Sequence, residues 1–345
     1  MDFSPSEEQQ LVLEAVRGLA SRLGAEAAQW DADDRIAPEA RLALAEMGLG
    51  GLFLPESAGG AGFGTPTGVQ ALELLGEASG ALALRFAAHA AGALPCLALA
   101  GTPPEEVAET AASGDWLALL PDPVSSGSSE AGRWRWVPGA QDAGAFVVRS
   151  DQGEVSIVDV RASGLERTPA SGLGMRGAGL GHVRLEGAGP LRRVGSLAAS
   201  AGRRVSALLR LAVASAGVGV GRAALAHARS YALERKQFGR PIAEFQAVQW
   251  MIADAATELD AASLLVLRAA LLHDQGEGEQ EAQAALVLAT DATHAAAHRA
   301  IQIHGGNGFV REYPVERLAR DARWLGVAFE GRDAARVALG RALLS

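Results

Sequence analysis

The sequence has little cysteine and few aromatic side chains. Its 345 residues include a single cysteine, Cys96, and aromatic residues make up 5% of the chain. One cysteine excludes both a disulfide framework and a cysteine-based metal cluster. Cys96 lies in an apolar helical run, where a buried thiol behaves as a small hydrophobe. With 49% hydrophobic residues, the composition indicates alanine- and leucine-rich helix packing.

An excess of basic charge is also missing. The formal net charge is -9, which argues against general nucleic-acid binding, because such proteins present a basic face. The net charge says little about a small phosphorylated ligand, since local arginine clusters decide that. The chain begins with the acidic stretch MDFSPSEEQQ, so no signal peptide is predicted and the cytoplasm is the expected location.

Long uninterrupted hydrophobic runs and metal-ligand clusters are absent as well. The apolar run 81–100 is too interrupted to predict a membrane span. It is broken at Arg85, His89 and Pro95. His294 and His298 are four residues apart on one predicted helix, a spacing that permits a metal site. No third ligand accompanies them in the sequence, so no metal site is predicted.

Hydrophobic periodicity predicts helices at both ends of the chain and short strands between them. The predicted helices cover 4–23, 37–47, a segment that opens at 65, 81–100, 104–112, 200–234, 241–274, 279–304 and one or two shorter segments within 313–343. The predicted strands cover 116–120, 133–137, 145–149, 155–160 and 183–185. The fold class is therefore α+β and mostly α. Its predicted parts are an N-terminal helical domain (1–113), a small central β domain (114–195) and a C-terminal four-helix bundle (196–345).

The stretch YALERKQFGRPIAEFQAVQWM joins two long apolar helical runs through a short basic turn. The turn contains Arg235, Lys236 and Arg240, with Phe238 among them. An aromatic ring beside mobile cations can hold a planar ring and its phosphates. The alternative is a surface hairpin of two helices whose charges are solvated, and composition alone favours that alternative.

Four stretches, in order along the chain, resemble motifs of the acyl-CoA dehydrogenase family. ERKQFGRPIAEFQ, within the basic turn, is similar to the family's signature. GLGGLFLPESAGGAGFG (48–64) resembles its N-terminal Pro-Glu-x-x-Gly-Gly-x-Gly loop, and AIQIHGGNGFVREYPVERLARDAR (300–323) its glycine-rich helix end. FEG (329–331) falls where the family has its catalytic Glu-Gly loop. The resemblance covers nearly the whole chain and implies the family's three-part architecture.

The resemblance implies FAD-dependent α,β-dehydrogenation of an acyl-CoA thioester. In this chemistry a carboxylate removes the α-proton while the β-hydrogen leaves as hydride to flavin N5. Glu330 is the candidate base, and Phe329 and Arg210 are candidate substrate-binding residues. The alternative is that Glu330 is an ordinary acidic loop residue. Arg332 replaces the family's Thr, and we expect it to pair with Glu330, keep it ionised and weaken it as a base.

Some family members carry the base early in the first bundle helix instead, next to an arginine. The corresponding pair in this chain is Leu209-Arg210, which offers no carboxylate. Glu330 is therefore the only base of the family's type that the sequence provides.

Two further motifs imply contacts with the FAD of a neighbouring subunit. Arg235 and Phe238 match the family's Arg-x-x-Phe-Gly, whose residues reach the neighbour's pyrophosphate and adenine. Gln302, Gly305 and Gly306 match its Gln-x-x-Gly-Gly. Glycines after a helix end let backbone amides approach phosphate oxygens. A plain helix C-cap is the alternative interpretation of the two glycines.

The central region departs from the family. The family carries Thr-Glu-Pro-x-Ala-Gly-Ser-Asp and then Lys-x-Trp-Ile-Thr/Ser-Asn against the isoalloxazine ring. Here LLPDPVSSGSSEAG (119–132) replaces the first, and RWRWVPGAQDAGAFVV (133–148) resembles the second but carries Pro138. Proline has neither a hydroxyl nor an N–H, so it cannot make the usual flavin hydrogen bond. We expect a β domain shortened by a strand or two and an impaired flavin face.

The expected assembly is a heterotetramer with a related acyl-CoA dehydrogenase subunit, as in members that act on bulky steroid or polyketide acyl-CoAs. A homotetramer is the alternative assembly, and a non-catalytic, FAD-supporting subunit is the alternative function. An electron-transfer acceptor is the further expected partner. The sequence leaves open the acyl group of the substrate and the choice between dehydrogenase and oxidase.

Overall fold

The computed structural model describes residues 3–120, 132–150, 152–186 and 191–345. The first part is helical: α1 (Glu7–Gly24), α2 (Ala27–Asp33), α3 (Pro38–Glu46), α4 (Gly64–Ala78), α5 (Gly80–Ala87), α6 (Leu94–Leu99) and α7 (Pro104–Ala112). A π-helical turn, Ala88–Ala93, joins α5 to α6. The last part is helical again: α8 (Ala199–Glu234), α9 (Gln246–Asp274), α10 (Glu279–His304), α11 (Val315–Leu325) and α12 (Gly331–Leu344). The predicted fold class is confirmed, whereas the domain boundaries stay predictions.

Two small sheets occupy the middle of the chain. The strands are β1 (Ala118–Leu120), β2 (Gly132–Val137), β3 (Ala145–Arg149), β4 (Glu154–Asp159), β5 (Leu165–Pro169), β6 (Gly181–Leu185) and β7 (Leu191–Ser196). One sheet has the order β1-β3-β4-β7 and the other β2-β6-β5. Among the strand pairs that the described residues form in these two sheets, only β1–β3 is parallel. The five predicted strands are confirmed to within two residues at most of their ends.

The elements that the sequence did not predict are short or polar. α2 has seven residues, too few for a helical period to repeat. β5 reads LERTP and β7 reads LRRVGS; both are edge strands with largely exposed side chains. Such strands lack the alternation of apolar and polar residues that marks a half-buried strand. Strand prediction relies on alternating buried and exposed side chains, so the sequence gives little indication of β5 and β7.

Two predicted helix starts are wrong, each for a local reason. α1 begins at Glu7 rather than at residue 4, because Ser6 caps it: its hydroxyl accepts from the Gln9 N–H, and the Gln9 side chain accepts from the Ser6 N–H. α9 begins at Gln246 rather than at residue 241. The intervening chain forms a hairpin of β8 (Lys236–Gln237) and β9 (Arg240–Pro241), then a 3-10 turn. Phe238 and Gly239 both have positive φ, which is the geometry of a tight two-residue hairpin turn.

α8 is the central helix, and α4, α9, α10 and α11 pack around it. Its buried face is built largely of alanine, valine and glycine. At the crossing with α4 the two backbones nearly touch: a Cβ added at Gly219 would overlap the backbone oxygen of Glu73, and one at Gly76 that of Ala216. Glycine is required at this crossing because no side chain fits between the helices.

Two helical stretches, Gly80–Leu99 and Ala199–Glu234, are long and apolar enough to span a membrane by length and composition. Within the protein, 89% and 78% of their most apolar windows are buried. Burial of that extent is typical of core helices, which pass the same test.

A partly buried ion pair and a buried hydrogen bond fix α11 against the other parts of the chain. The guanidinium of Arg320 donates to both carboxylate oxygens of Asp31 on α2, at 2.9 and 2.7 Å. The next residue, Asp321, accepts a 2.6 Å hydrogen bond from the backbone N–H of Met175, in the loop before β6. α11 therefore holds the N-terminal helices and the sheet region in register with the bundle, and the loop that follows α11 carries Glu330.

Candidate active site

Glu330 lies in the short loop between α11 and α12, and the backbone of this loop is sharply turned. Phe329 has a φ of 51°, which is uncommon for a residue with a side chain, and Gly331 has a φ of 76°. The Gly331 N–H donates to the Ala328 carbonyl, and the Arg332 N–H donates to that of Gly326, both at 2.9 Å. These bonds close the turn and direct the Glu330 side chain towards α8.

The carboxylate of Glu330 accepts a hydrogen bond from Nη2 of Arg210 on α8. Only 13% of the Arg210 side chain is exposed, against 43% of that of Glu330. The other two nitrogens of this guanidinium, Nε and Nη1, are buried and have no hydrogen-bond partner among the described residues. A buried donor without an acceptor costs free energy, so this site is arranged to receive a further oxygen atom.

The expected pairing of Arg332 with Glu330 is wrong. Arg332 donates to Asp291 on α10 at 2.9 Å and to its neighbour Asp333 at 3.0 Å. The turn at Gly331 carries Arg332 away from the pocket and onto the opposite face of the loop, where Asp291 offers a carboxylate. The cation that meets Glu330 is Arg210, which the sequence placed only on the substrate side.

Glu330 stands at the junction of two connected spaces. The inner one is apolar and narrow, about 30 Å³. Its apolar lining consists of Leu119, Val205, Leu209, Val213, Leu286, Ala328 and Phe329. The outer one is a polar cleft of about 370 Å³. Its polar and charged lining comprises Arg149, Ser150, Gln152, Arg203, Ser206, Arg210, Glu279 and Glu330. A ligand with an apolar tail and a polar head would bring its central atoms next to Glu330.

Two residues shared by both spaces, Arg149 and Ser206, were not predicted from the sequence. Arg149 donates to the carbonyl of Gly202 at 3.1 Å and to the hydroxyl of Ser206 at 3.4 Å. Ser206 lies one turn before Arg210 on α8, so helical spacing alone puts both on one face. Arg149 is the last residue of β3. The local sequence does not mark it as a site residue, because only the tertiary fold brings this strand to α8.

The residues matched to a cofactor motif meet at the far end of the bundle. Arg235 and Phe238 follow the end of α8, and Phe238, at the tip of the β8–β9 turn, is 93% exposed. Gln302, Gly305 and Gly306 end α10, and all three are exposed. A Cβ added at either glycine would meet nothing within 4 Å, so their backbone faces open space. Because Tyr231, in the last turn of α8, stacks on His304, the last residue of α10, the two groups of residues lie at the same end of the bundle. The exposed surface that these five residues form is termed the cofactor edge.

The turn around Trp136 and Pro138 does not offer the family's flavin hydrogen bond. Trp136 has a φ of 59° beside a register shift in β2, and its backbone N–H donates to Nδ1 of His182 at 3.3 Å. Pro138 has no N–H, and that of Gly139 donates to the Ala178 carbonyl at 2.8 Å. Most of the replaced segment 119–132 lies outside the described residues. In the part that the structure covers, these amides are already engaged.

Metal binding has no candidate in the described ranges, where no three or more His, Cys, Asp and Glu side chains are grouped to hold an ion. Within the described ranges, the fold therefore brings no third ligand to His294 and His298. The burial of His294 beside Arg323 lowers the pKa of its imidazole, as expected for a neutral packed side chain.

The comparisons with known proteins agree with one another. Residues 6–107 match the model of the acyl-CoA dehydrogenase N-terminal domain, and residues 205–339 match that of the acyl-CoA dehydrogenase C-terminal domain. A probable acyl-CoA dehydrogenase of Bacillus subtilis, YngJ, is 32% identical over 386 positions that cover 100% of both chains. This chain has 345 residues, 41 fewer than the aligned length.

The solved structures with this fold include butyryl-CoA dehydrogenase from Megasphaera elsdenii, with a TM-score of 0.91, 23% identity and 100% of each chain covered. At that identity the likeness shows the fold. The ChsE4-ChsE5 complex from Mycobacterium tuberculosis contains a chain with a TM-score of 0.88 and 27% identity. It is matched over 99% of its length by 100% of this chain.

Proposed function

This chain belongs to the acyl-CoA dehydrogenase family of FAD-dependent oxidoreductases, and from that premise we propose that it takes part in α,β-dehydrogenation of an acyl-CoA thioester, with Glu330 as the base. The observation that carries the proposal is the position of Glu330, between a narrow apolar pocket and a polar cleft lined with arginines. The apolar lining of the first space suits an acyl chain, and the arginines of the second suit the phosphates of CoA.

Within this site Glu330 accepts the α-proton. Its carboxylate oxygen first has to leave the guanidinium of Arg210, because an oxygen held by that donor is not available to the substrate. The two unpartnered nitrogens of Arg210 suit an oxygen of the incoming ligand, which would draw the guanidinium away from Glu330. When bound, FAD supplies the acceptor for the hydride that leaves the β-carbon.

The second candidate function is that of an FAD-supporting subunit in a hetero-oligomer. Two observations favour it. The five residues of the cofactor edge are exposed and accessible to the ADP part of a neighbour's FAD, whereas at the turn around Pro138 the N–H groups of Trp136 and Gly139 are already engaged within the chain. The ChsE4-ChsE5 complex, one chain of which has this fold, is an assembly of two different proteins. We propose the same arrangement here, with an electron-transfer protein as the further partner.

Purification of the chain alone and together with a co-expressed full-length relative tests both candidates. For an autonomous dehydrogenase, we expect about one flavin per chain in the lone protein, and Glu330→Gln should lower turnover by about 10²- to 10⁴-fold while the flavin stays bound. For a supporting subunit, the lone chain is colourless and the complex is yellow. In that complex Arg235→Ala should release flavin, and Glu330→Gln should change little. Lone yellow protein whose turnover survives Glu330→Gln would contradict both.

A further inference from the structure

The chain's only two tyrosines and its only asparagine meet at one place, beside the cofactor edge. Nδ2 of Asn307 donates to the hydroxyl of Tyr231 at 2.9 Å and lies 3.5 Å from that of Tyr313. The two tyrosine rings are edge to face, with centroids 5.8 Å apart. Together with His304 these residues form the tyrosine cluster.

His304 contributes the third aromatic ring of the tyrosine cluster. Its ring stacks on that of Tyr231, with centroids 4.2 Å apart and planes 21° from parallel. Nδ1 lies 2.8 Å from the carbonyl of Ala300, and because a carbonyl only accepts, this nitrogen carries the proton. Burial lowers the pKa of His304. Burial therefore favours the neutral ring, and the hydrogen bond to Ala300 fixes its tautomer and orientation.

The tyrosine cluster connects the two motifs of the cofactor edge. The backbone carbonyl of Tyr231 accepts from the N–H of Arg235 at 2.9 Å, so Tyr231 fixes the point where α8 ends. Asn307 lies inside the 3-10 turn Gly305–Phe309, two residues after the first exposed glycine. The turn Gly305–Phe309 is termed here the glycine turn. The hydrogen bond from Asn307 to Tyr231 therefore links the glycine turn directly to the end of α8, which Arg235 follows.

A purely apolar contact would hold the helices together equally well, because the bundle is stabilised by the buried faces of α8, α9 and α10. A hydrogen bond adds what apolar packing lacks, which is a defined distance and direction. Gly305 and Gly306 have no side chains of their own to set the position of their backbone. We infer that Tyr231, Asn307 and Tyr313 are positioning residues that fix the glycine turn relative to Arg235 and thereby set the affinity for the ADP part of FAD.

This inference rests on the proposed function of the cofactor edge. Its test uses the flavin-carrying oligomer as purified, stripped of flavin and then titrated with FAD. Tyr231→Phe and Asn307→Ala should each raise the FAD dissociation constant about three- to tenfold, the loss of one hydrogen bond. The unfolding midpoint should move by less than about 2 °C, since ring stacking and the apolar core are kept.

Two control variants sharpen the measurement. Tyr313→Phe should have a smaller effect than Tyr231→Phe, because its hydroxyl is the more distant one from Asn307. Thr257→Ala removes an exposed hydroxyl that bonds only within α9, and should leave FAD affinity unchanged. Normal FAD affinity in both Tyr231→Phe and Asn307→Ala would overturn the inference. So would a loss of affinity that merely follows a loss of thermal stability.

Fluorine NMR reads the site directly, because both tyrosines lie in it. When only this chain is labelled with 3-fluorotyrosine and is then assembled with an unlabelled partner, its two tyrosines should give two resonances, and both should shift as FAD is added. Arg235→Ala separates the two levels of the argument. If it loses FAD while the tyrosine variants do not, the cofactor edge stands and the positioning role fails. If Arg235→Ala binds FAD normally, the cofactor edge itself is wrong and the inference falls with it.

Discussion

Glu330 and Arg210 are 120 residues apart in the sequence and share a hydrogen bond at the mouth of the apolar pocket. Neither residue has another partner there among the described residues, since Nε and Nη1 of Arg210 are unpartnered. An ion pair with one exposed member contributes under about 1 kcal/mol to stability. We therefore expect the pair to serve the reaction more than the stability of the fold. A substitution at Glu330 can separate these two roles.

Glu330→Gln separates them. The amide keeps the size of the side chain and an oxygen for Arg210, but it cannot accept a proton. For an active site in this chain we expect turnover of acyl-CoA to fall by about 10²- to 10⁴-fold, with an unfolding midpoint within about 2 °C of the unmodified protein. Steady-state kinetics and a thermal melt check both values. Glu281→Gln is the matched control, because Glu281 lines neither space and pairs with Arg268 at 3.3 Å; it should leave turnover intact.

His89 predicts a loss of stability in acid. It is fully buried in the π-helical turn, where its Nδ1 accepts from the Leu117 N–H at 3.1 Å, and burial lowers the pKa of its imidazole to about 3. Because the ordinary pKa is 6.5, the unfolded chain takes up a proton that the folded chain refuses. The stability it contributes is present above pH 6.5 and falls as pH drops towards 3, by about 1.4 kcal/mol per pH unit. Urea unfolding of His89→Gln at several pH values should lack this contribution, and an unchanged slope would contradict it.

Asp321 contributes the opposite pH dependence. Its carboxylate is fully buried, and burial raises its pKa from 3.8 to about 6, against the lowering effect of Arg317. The corresponding stability is present below pH 3.8 and is lost as pH rises through 6. Between about pH 4 and 6 this term offsets that of His89.

Asp321→Asn therefore exposes the contribution of His89. Its amide oxygen can still accept from the Met175 N–H, so the loop before β6 should stay in place. Unfolding free energy measured in urea should then fall more steeply with acid than in the unmodified protein, by about 1.4 kcal/mol per pH unit between pH 6 and 4. Parallel curves for the two proteins would show that Asp321 does not titrate in this range.

Much of this fold follows from local sequence, and the pairing of residues in the site does not. The long helices α8, α9 and α10 each repeat an apolar face many times, so periodicity locates them. Glu330 and the cofactor edge were located by motifs. What pairs with Glu330 depends on where a loop reverses: one glycine with a φ of 76° turns Arg332 towards Asp291 and leaves Arg210 as the neighbour. Such a reversal leaves no trace in composition or spacing.

The crossing of α4 and α8 gives a stability prediction. Gly219→Ala should destabilise the protein by about 1–3 kcal/mol, because the new methyl group meets the backbone of Glu73 and the helices have to move apart. Gly340→Ala is the matched control. It lies in α12, where an added Cβ meets nothing within 4 Å, and it should gain about 0.5–1 kcal/mol from helix propensity. Urea unfolding distinguishes the two signs, and an unchanged unfolding free energy for Gly219→Ala would mean that the two helices leave room for a methyl group at this crossing.

Phe238 gives a prediction about the assembly of this chain with another subunit. A phenylalanine that is 93% exposed at the tip of a tight hairpin contributes little to the fold of its own chain. Large exposed apolar residues lie near it in the sequence and beside the glycine turn, namely Leu233, Trp250 and Phe309, as expected for a surface that another subunit covers. Phe238→Ser should therefore leave the melting temperature of the lone chain unchanged while it weakens assembly and flavin retention at least tenfold. Sedimentation velocity and the flavin absorbance of the purified oligomer measure the two effects.

Leu11→Ser, at an exposed position on α1, is the control and should change neither the assembly nor the flavin retention. An oligomer of Phe238→Ser that keeps its mass and its flavin would show that the hairpin faces solvent in the assembly, and the cofactor edge would lose its aromatic contact.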